Sequence, residues 1–174
     1  LREHSVKREF LDAVAAAISI TGSNCKLIGC EFYDAPAKAT LIQILTAATA
    51  TGLVISGYHF YPSTTGTQKT EVIRLIGVND LLIENMIAMA DFTTAVINNI
   101  TTLCLRATFR NCQLGNLHAA STLAIALLTT TTGFLTGCTL QSVSGTPWIT
   151  TSNLLSCDLA SAGSQPGGTA TALV

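Results

Sequence analysis

The sequence predicts an all-β chain wound as a single-stranded parallel β-helix, and three observations carry that prediction. One six-residue motif returns six times along the 174 residues. A short apolar segment precedes it once per repeat. Charged residues make up only 11% of the chain against 48% hydrophobic residues, where an ordinary soluble domain carries roughly 25% charge. Much of the exterior is therefore expected to face other protein rather than water.

The motif is apolar, variable, Gly/Asn/Ser, Cys/Tyr/Met, variable, apolar. It reads LIGCEF (27–32), ISGYHF (55–60), IENMIA (83–88), FRNCQL (109–114), LTGCTL (135–140) and LLSCDL (154–159). Its fourth positions are Cys30, Tyr58, Met86, Cys112, Cys138 and Cys157, separated by 28, 28, 26, 26 and 19 residues. A period of about 20 to 50 residues marks a repeat architecture.

The third column holds Gly29, Gly57, Asn85, Asn111, Gly137 and Ser156. Glycine and asparagine tolerate the left-handed backbone, so this column predicts a sharp bend between two short strands. Ser156 departs from the pattern and implies a looser final bend. Pleating then sends the first, fourth and sixth columns inward and the second and fifth outward. The inward columns are apolar or thiol throughout, whereas the outward ones are mostly polar.

The preceding segment predicts a third strand per repeat: LIQIL (41–45), VIRLI (72–76), AVINNI (95–100) and LAIALL (123–128), with VAAAISI (14–20) as a weaker first copy. Strand, loop, strand, bend, strand makes one coil, and about six coils are expected. Helical repeats of this length need a 3.6-residue period, which threonine-rich stretches such as LLTTTTGF (127–134) lack.

Three regions follow. Residues 1–17 are an N-terminal arm or a short capping helix, with Val6, Phe10 and Val14 at four-residue spacing, because a solenoid must cover its strand edges. Residues 18–160 form the β-helix domain. Residues 161–174 are a Gly/Ser/Thr-rich tail, extended or swapped onto a partner. The longest excursions, 33–40, 61–70 and 115–122, leave the repeat at the same point and so emerge on one side of the coil. Trp148, in the last repeat, is expected to plug it.

Several functions are excluded. A net charge of −1 gives no nucleic-acid surface. No apolar run reaches the roughly 18 to 20 residues of a membrane helix, and the charged LREHSVKREF start lacks a secretory leader's apolar region. Six cysteines without a C-x-x-C pair, and only three histidines, predict neither a metal site nor a cofactor. Cys112, Cys138 and Cys157 are expected to stack about 4.8 Å apart, beyond the roughly 3.5 to 4.5 Å between Cβ atoms of a disulfide. They are read as small apolar filling. Threonine strings without strict T-x-T alternation exclude an ice-binding face.

No catalytic residue is assigned, and no enzyme is expected. The acidic residues Glu31, Asp34, Glu71, Asp80, Glu84, Asp91 and Asp158 fall in different columns. Glu31 above His59 is the weak acid/base candidate. Glu84 above Arg110 reads as a stacked ion pair.

The repeat, over about residues 14–160, resembles the right-handed parallel β-helix superfamily of pectate-lyase-like enzymes and bacteriophage tailspike and virion proteins. The resemblance implies right-handed winding. It also implies a structural virion protein of a bacteriophage, either a trimeric capsid decoration or cement protein or a tail or fibre component. The implied location is the virion, and the partners are copies of itself (a homotrimer) and other virion proteins such as the major capsid protein, with no nucleic acid and no membrane. The alternative is a polysaccharide-binding or polysaccharide-degrading β-helix with a surface carbohydrate as partner. Pectate-lyase-like enzymes use clustered aspartates for calcium beside a basic residue, and this sequence has no such cluster.

Overall fold

The computed structural model describes residues 16–33, 42–62, 69–99, 101–119, 123–128, 131–142 and 153–157. The first coil carries β1 (Ala16–Ile20), β2 (Lys26–Ile28) and β3 (Glu31–Tyr33). The second carries β4 (Ile42–Thr46), β5 (Val54–Ser56) and β6 (His59–Tyr61), and the third β7 (Glu71–Leu75), β8 (Leu82–Glu84) and β9 (Ile87–Ala90). The fourth carries β10 (Ala95–Asn99), β11 (Ala107–Arg110) and β12 (Gln113–Asn116). The fifth has β13 (Leu123–Ala126), β14 (Thr132–Thr136) and β15 (Thr139–Ser142), followed by β16 (Asn153–Cys157).

Each strand pairs in parallel with its counterpart one coil away, giving three sheets: β1-β4-β7-β10-β13, β2-β5-β8-β11-β14-β16 and β3-β6-β9-β12-β15. The fold is a parallel β-solenoid of about four turns, and its described residues contain no helix.

Two expectations are corrected here. The coil count is lower than six: five coils, about four turns from first to last, carry all three strands, and among the described residues the last motif copy supplies only β16. That strand lies two residues out of the expected register, with Leu135 opposite Ser156 and Thr136 opposite Cys157. The chain leaves ten residues between β15 and β16, where earlier coils place fifteen between β12 and β14 and sixteen between β9 and β11. Ser156 lies inside an unbroken strand rather than at a bend, and Cys157 does not continue the column of Cys112 and Cys138. The expected capping helix fails where it can be checked, since Ala16 and Ala17 belong to β1. Residues 1–15, Trp148 and the tail lie outside the described residues, as do most of the three excursions.

The bend column takes the conformation its residues allow. Gly29, Gly57, Asn85, Asn111 and Gly137 have φ of 62°, 64°, 52°, 52° and 59°. Each of the first four corner N–H groups donates to the carbonyl of the next coil: Gly29 to Ser56, Gly57 to Glu84, Asn85 to Arg110 and Asn111 to Thr136, at 2.8 to 3.0 Å. The bend therefore extends the hydrogen-bond ladder around the corner.

Inside, the apolar columns stack. Ile18, Ile44, Ile73, Ile97 and Ile125 are register partners through all five coils. Ile55, Ile83, Phe109 and Leu135 form the motif's first column, and Phe60, Ala88, Leu114 and Leu140 its last, all buried. The ring of Phe32 stacks on Tyr58 with centroids 5.1 Å apart, and Phe60 meets Phe92 at 5.7 Å. The first sheet shows no in-out alternation: Val72 with Ile73, Val96 with Ile97 and Ala124 with Ile125 are all buried. Near-continuous apolar runs are what a parallel sheet covered on both faces requires.

Two substitutions test this core. The Tyr58 hydroxyl is buried without a hydrogen-bond partner, so Tyr58→Phe should stabilise the fold by about 1 kcal/mol in urea unfolding. An added Cβ at Gly57 meets nothing nearer than 3.6 Å, whereas one at Gly137 runs into the Asn111 side-chain oxygen. Gly57→Ala should cost about 1 to 2 kcal/mol for the left-handed backbone alone, and Gly137→Ala should cost more.

Candidate functional site

The richest exposed constellation lies on the outer face of the third sheet, where β3 and β6 lie side by side. Alternation turns Phe32 and Phe60 inward and leaves Glu31, Tyr33, His59 and Tyr61 facing out. Glu31 and His59 are register partners, as are Tyr33 and Tyr61. The two tyrosine rings are stacked with nearly parallel planes, 6° apart with centroids at 4.6 Å, and the His59 ring sits 4.2 Å from Tyr61.

The structure thus brings the sequence-predicted couple onto neighbouring strands but does not join it by a hydrogen bond. Each member is held along its own strand. The Tyr33 hydroxyl donates to Glu31 Oε2 at 3.1 Å, and the Tyr61 hydroxyl lies 2.8 Å from His59 Nδ1. The Glu31 contact pushes the Tyr33 phenol above its ordinary value, with a smaller push from burial. A flat aromatic patch edged by a carboxylate and an imidazole can stack and hydrogen-bond a polar ring.

On the second sheet the predicted ion pair is present and larger than expected. Arg110 reaches Glu84 through Nε and Nη2, and the Ser56 hydroxyl donates to Glu84 Oε1 at 3.0 Å. Arg110 first and Ser56 second hold the Glu84 carboxyl below its usual range.

A second corner column escaped sequence reasoning. Asn24, Gly52, Asp80 and Arg106 have φ of 55°, 70°, 55° and 59°, each five residues before a motif bend. That constant offset was the available signal, hidden because arginine is an unusual left-handed residue. Arg106 is secured there by a two-pronged pair with Asp80, at 2.5 and 2.8 Å, and by its N–H donating to Thr132 Oγ1 at 3.2 Å. The guanidinium holds the Asp80 carboxyl low.

Glu71 is the one buried carboxylate among the described residues, fully enclosed and ion-paired to Arg74. Burial pushes its carboxyl up, opposed by hydrogen bonds from Arg74 and Asn98. The described thiols are free, as expected from the sequence. The Cys112 N–H points at Cys138 Sγ, 3.4 Å away. A hydrogen bond to Cys138, and then burial, push the Cys112 thiol up, so it is the proton-holding member of the pair. Burial pushes Cys104 to about 11. Among the described residues no group of three or more His, Cys, Asp or Glu side chains could hold a metal ion, and no helix is long and apolar enough to cross a membrane.

No protein-family model, curated protein or solved structure matches this chain. Roles for these residues rest on their own geometry.

Glu71 gives a pH prediction. Its folded-state value is raised, so its contribution is fully present below the unfolded value of about 4.3 and is lost as pH rises through the folded value. Glu71→Gln should flatten the acid-to-neutral slope of stability, measured by urea midpoints from pH 4 upward. Thiol labelling gives another: Cys25 and Cys30 are partly exposed while Cys104, Cys112 and Cys138 are buried. Peptide mapping after maleimide treatment of the native chain should find the first two modified well before the other three.

Proposed function

We propose that the chain is a structural β-solenoid that works by packing against other protein. The observation that carries this reading is the outer face of the second sheet. There a column of register partners runs Lys26, Val54, Leu82, Thr108 and Phe134, and Phe134 is 48% exposed. Beside it runs the column Ile28, Ser56, Glu84, Arg110 and Thr136, whose charges are already paired. A flat, mildly apolar stripe beside a neutralised ladder suits burial against a second protein surface.

The low charge of the whole chain points the same way. Within the right-handed β-helix superfamily that the motif resembles, virion components of bacteriophages combine this fold with self-association. The chain is accordingly a homotrimeric decoration, cement, tail or fibre protein of a phage particle, with the stripe as its lateral contact.

A second reading rests on the Tyr33–Tyr61 patch with Glu31 and His59. Stacked exposed rings with a carboxylate and an imidazole fit a sugar ring, and this would make the chain a polysaccharide-binding module.

Light scattering on the full chain should give a mass that is a multiple of three chains, and Phe134→Asp should abolish that threefold multiple with an unchanged far-ultraviolet spectrum. A monodisperse monomer at high concentration would overturn the lateral assembly. Quenching of tyrosine emission by acidic oligosaccharides, lost in Glu31→Gln or His59→Ala, would favour the second reading.

A further inference from the structure

The first coil differs from all the others in one respect: nothing among the described residues pairs with its outer edge. β1, β2 and β3 are the terminal strands of all three sheets at once. The inward residues of this coil, Ile18, Cys25, Leu27, Cys30 and Phe32, are only partly buried. Their counterparts one coil on, Ile44, Leu53, Ile55, Tyr58 and Phe60, are 0 to 2% exposed. Among the described residues, the first set has a coil on one side and the second set on both. The two most exposed large apolar side chains, Ile28 at 64% and Tyr33 at 66%, also belong to this coil. Among the described residues, then, the end is an apolar surface rimmed by strand edges with no partner, the combination that recruits another strand-bearing surface.

We propose that this end docks onto the same end of a second copy of the chain, around a two-fold axis perpendicular to the direction of stacking. The geometry of the coil is self-complementary for that operation. β2 and β3 are each three residues long, and they flank the Gly29–Cys30 corner symmetrically. An axis through that corner and the middle of β1 lays each copy's β2 antiparallel on the other's β3. Leu27 then faces the second copy's Phe32, continuing the core. Ile28 faces the second copy's Glu31, and Lys26 faces its Tyr33. Lys26 and Glu31 are both exposed, and each Lys26 ammonium comes within a diagonal neighbour's reach of the opposite Glu31 carboxylate. Two such pairs form, one on each side of the axis. Antiparallel pairing takes up the edge N–H and C=O groups that no described residue pairs. The contact is isologous and closes at two copies, so it does not propagate into a filament.

This contact shares Lys26 and Ile28 with the near end of the lateral stripe, so docking is read from the doubling of the mass and lateral assembly from its threefold multiple. If the lateral trimer forms, end-to-end docking makes a hexamer; if it does not, docking makes a dimer. The test is light scattering on the full chain across a range of concentrations, with three variants. Wild type should show the doubled mass. Ile28→Glu sets a second carboxylate against Glu31 and should raise the dissociation constant at least about tenfold. Lys26→Glu should also weaken docking, and the charge swap Lys26→Glu with Glu31→Lys should restore it. A bis-maleimide should link Cys30 to Cys30 near the axis, and Cys30→Ser should abolish that link. An undoubled mass, trimer or monomer, at high concentration overturns the proposal, as it would if another segment of the chain covered this end. So does a doubled mass that survives Ile28→Glu, or a charge swap that fails to rescue.

Discussion

Every coil of this molecule has to come back to where it began, one strand spacing further along. That closure depends on a few backbone positions with positive φ. At the motif bend the chain turns through Gly29, Gly57, Asn85, Asn111 and Gly137, and the first four of these donate a hydrogen bond to the next coil. The corner is thus both the sharpest turn and a rung of the ladder. Side-chain stacking depends on it, because a coil that closed elsewhere would set isoleucine against a polar neighbour. The steady columns of Ile18 to Ile125, and of Ile55 to Leu135, follow from corners that repeat without slippage.

How much of this could be read from the chain is itself explained by the corner. The motif was legible because five positions always separate its two apolar ends, from Leu27 and Phe32 to Leu135 and Leu140. The third strand was legible as an apolar run, though not the fact that both its faces are covered. The other corner was missed, because Asp80 and Arg106 are left-handed through a salt bridge made across coils. Such a partner becomes a neighbour only after folding. The last copy was misaligned for the opposite reason: LLSCDL matches the template by composition, but the chain before it is too short to keep the register. Of the candidate site, Glu31 above His59 was correctly placed as a register pair. The role of the tyrosines two residues on was not foreseen, since it depends on where their hydroxyls come to rest.

The polar side chains of the described coils are organised mostly as ladders between coils. Ser56, Glu84 and Arg110 satisfy one another, as do Asp80 and Arg106. Exposed pairs of this kind add little stability individually. Their larger effect is on register, since a coil shifted by one residue would place an unpaired charge beside an apolar side chain. Glu71 shows what burial changes: enclosed with Arg74, its carboxylate depends on neighbours for what water would otherwise supply. The molecule thus uses several of its charges for internal alignment and leaves aromatic and aliphatic groups such as Ile28, Tyr33 and Phe134 exposed.

The five-position corner also divides the chain into parts that keep count and parts that do not. Between the first-sheet isoleucines, successive coils differ in length, with steps of 26, 29, 24 and 28 residues. None of this variation enters the corner. A lineage can therefore lengthen or trim the loops flanking the first sheet without disturbing the stack. It can add or delete a whole coil at comparable cost, since each coil contacts only its neighbours. The corner acts as the reading frame of the architecture: changes in multiples of a coil are silent to it, and a single residue gained inside it shifts everything downstream.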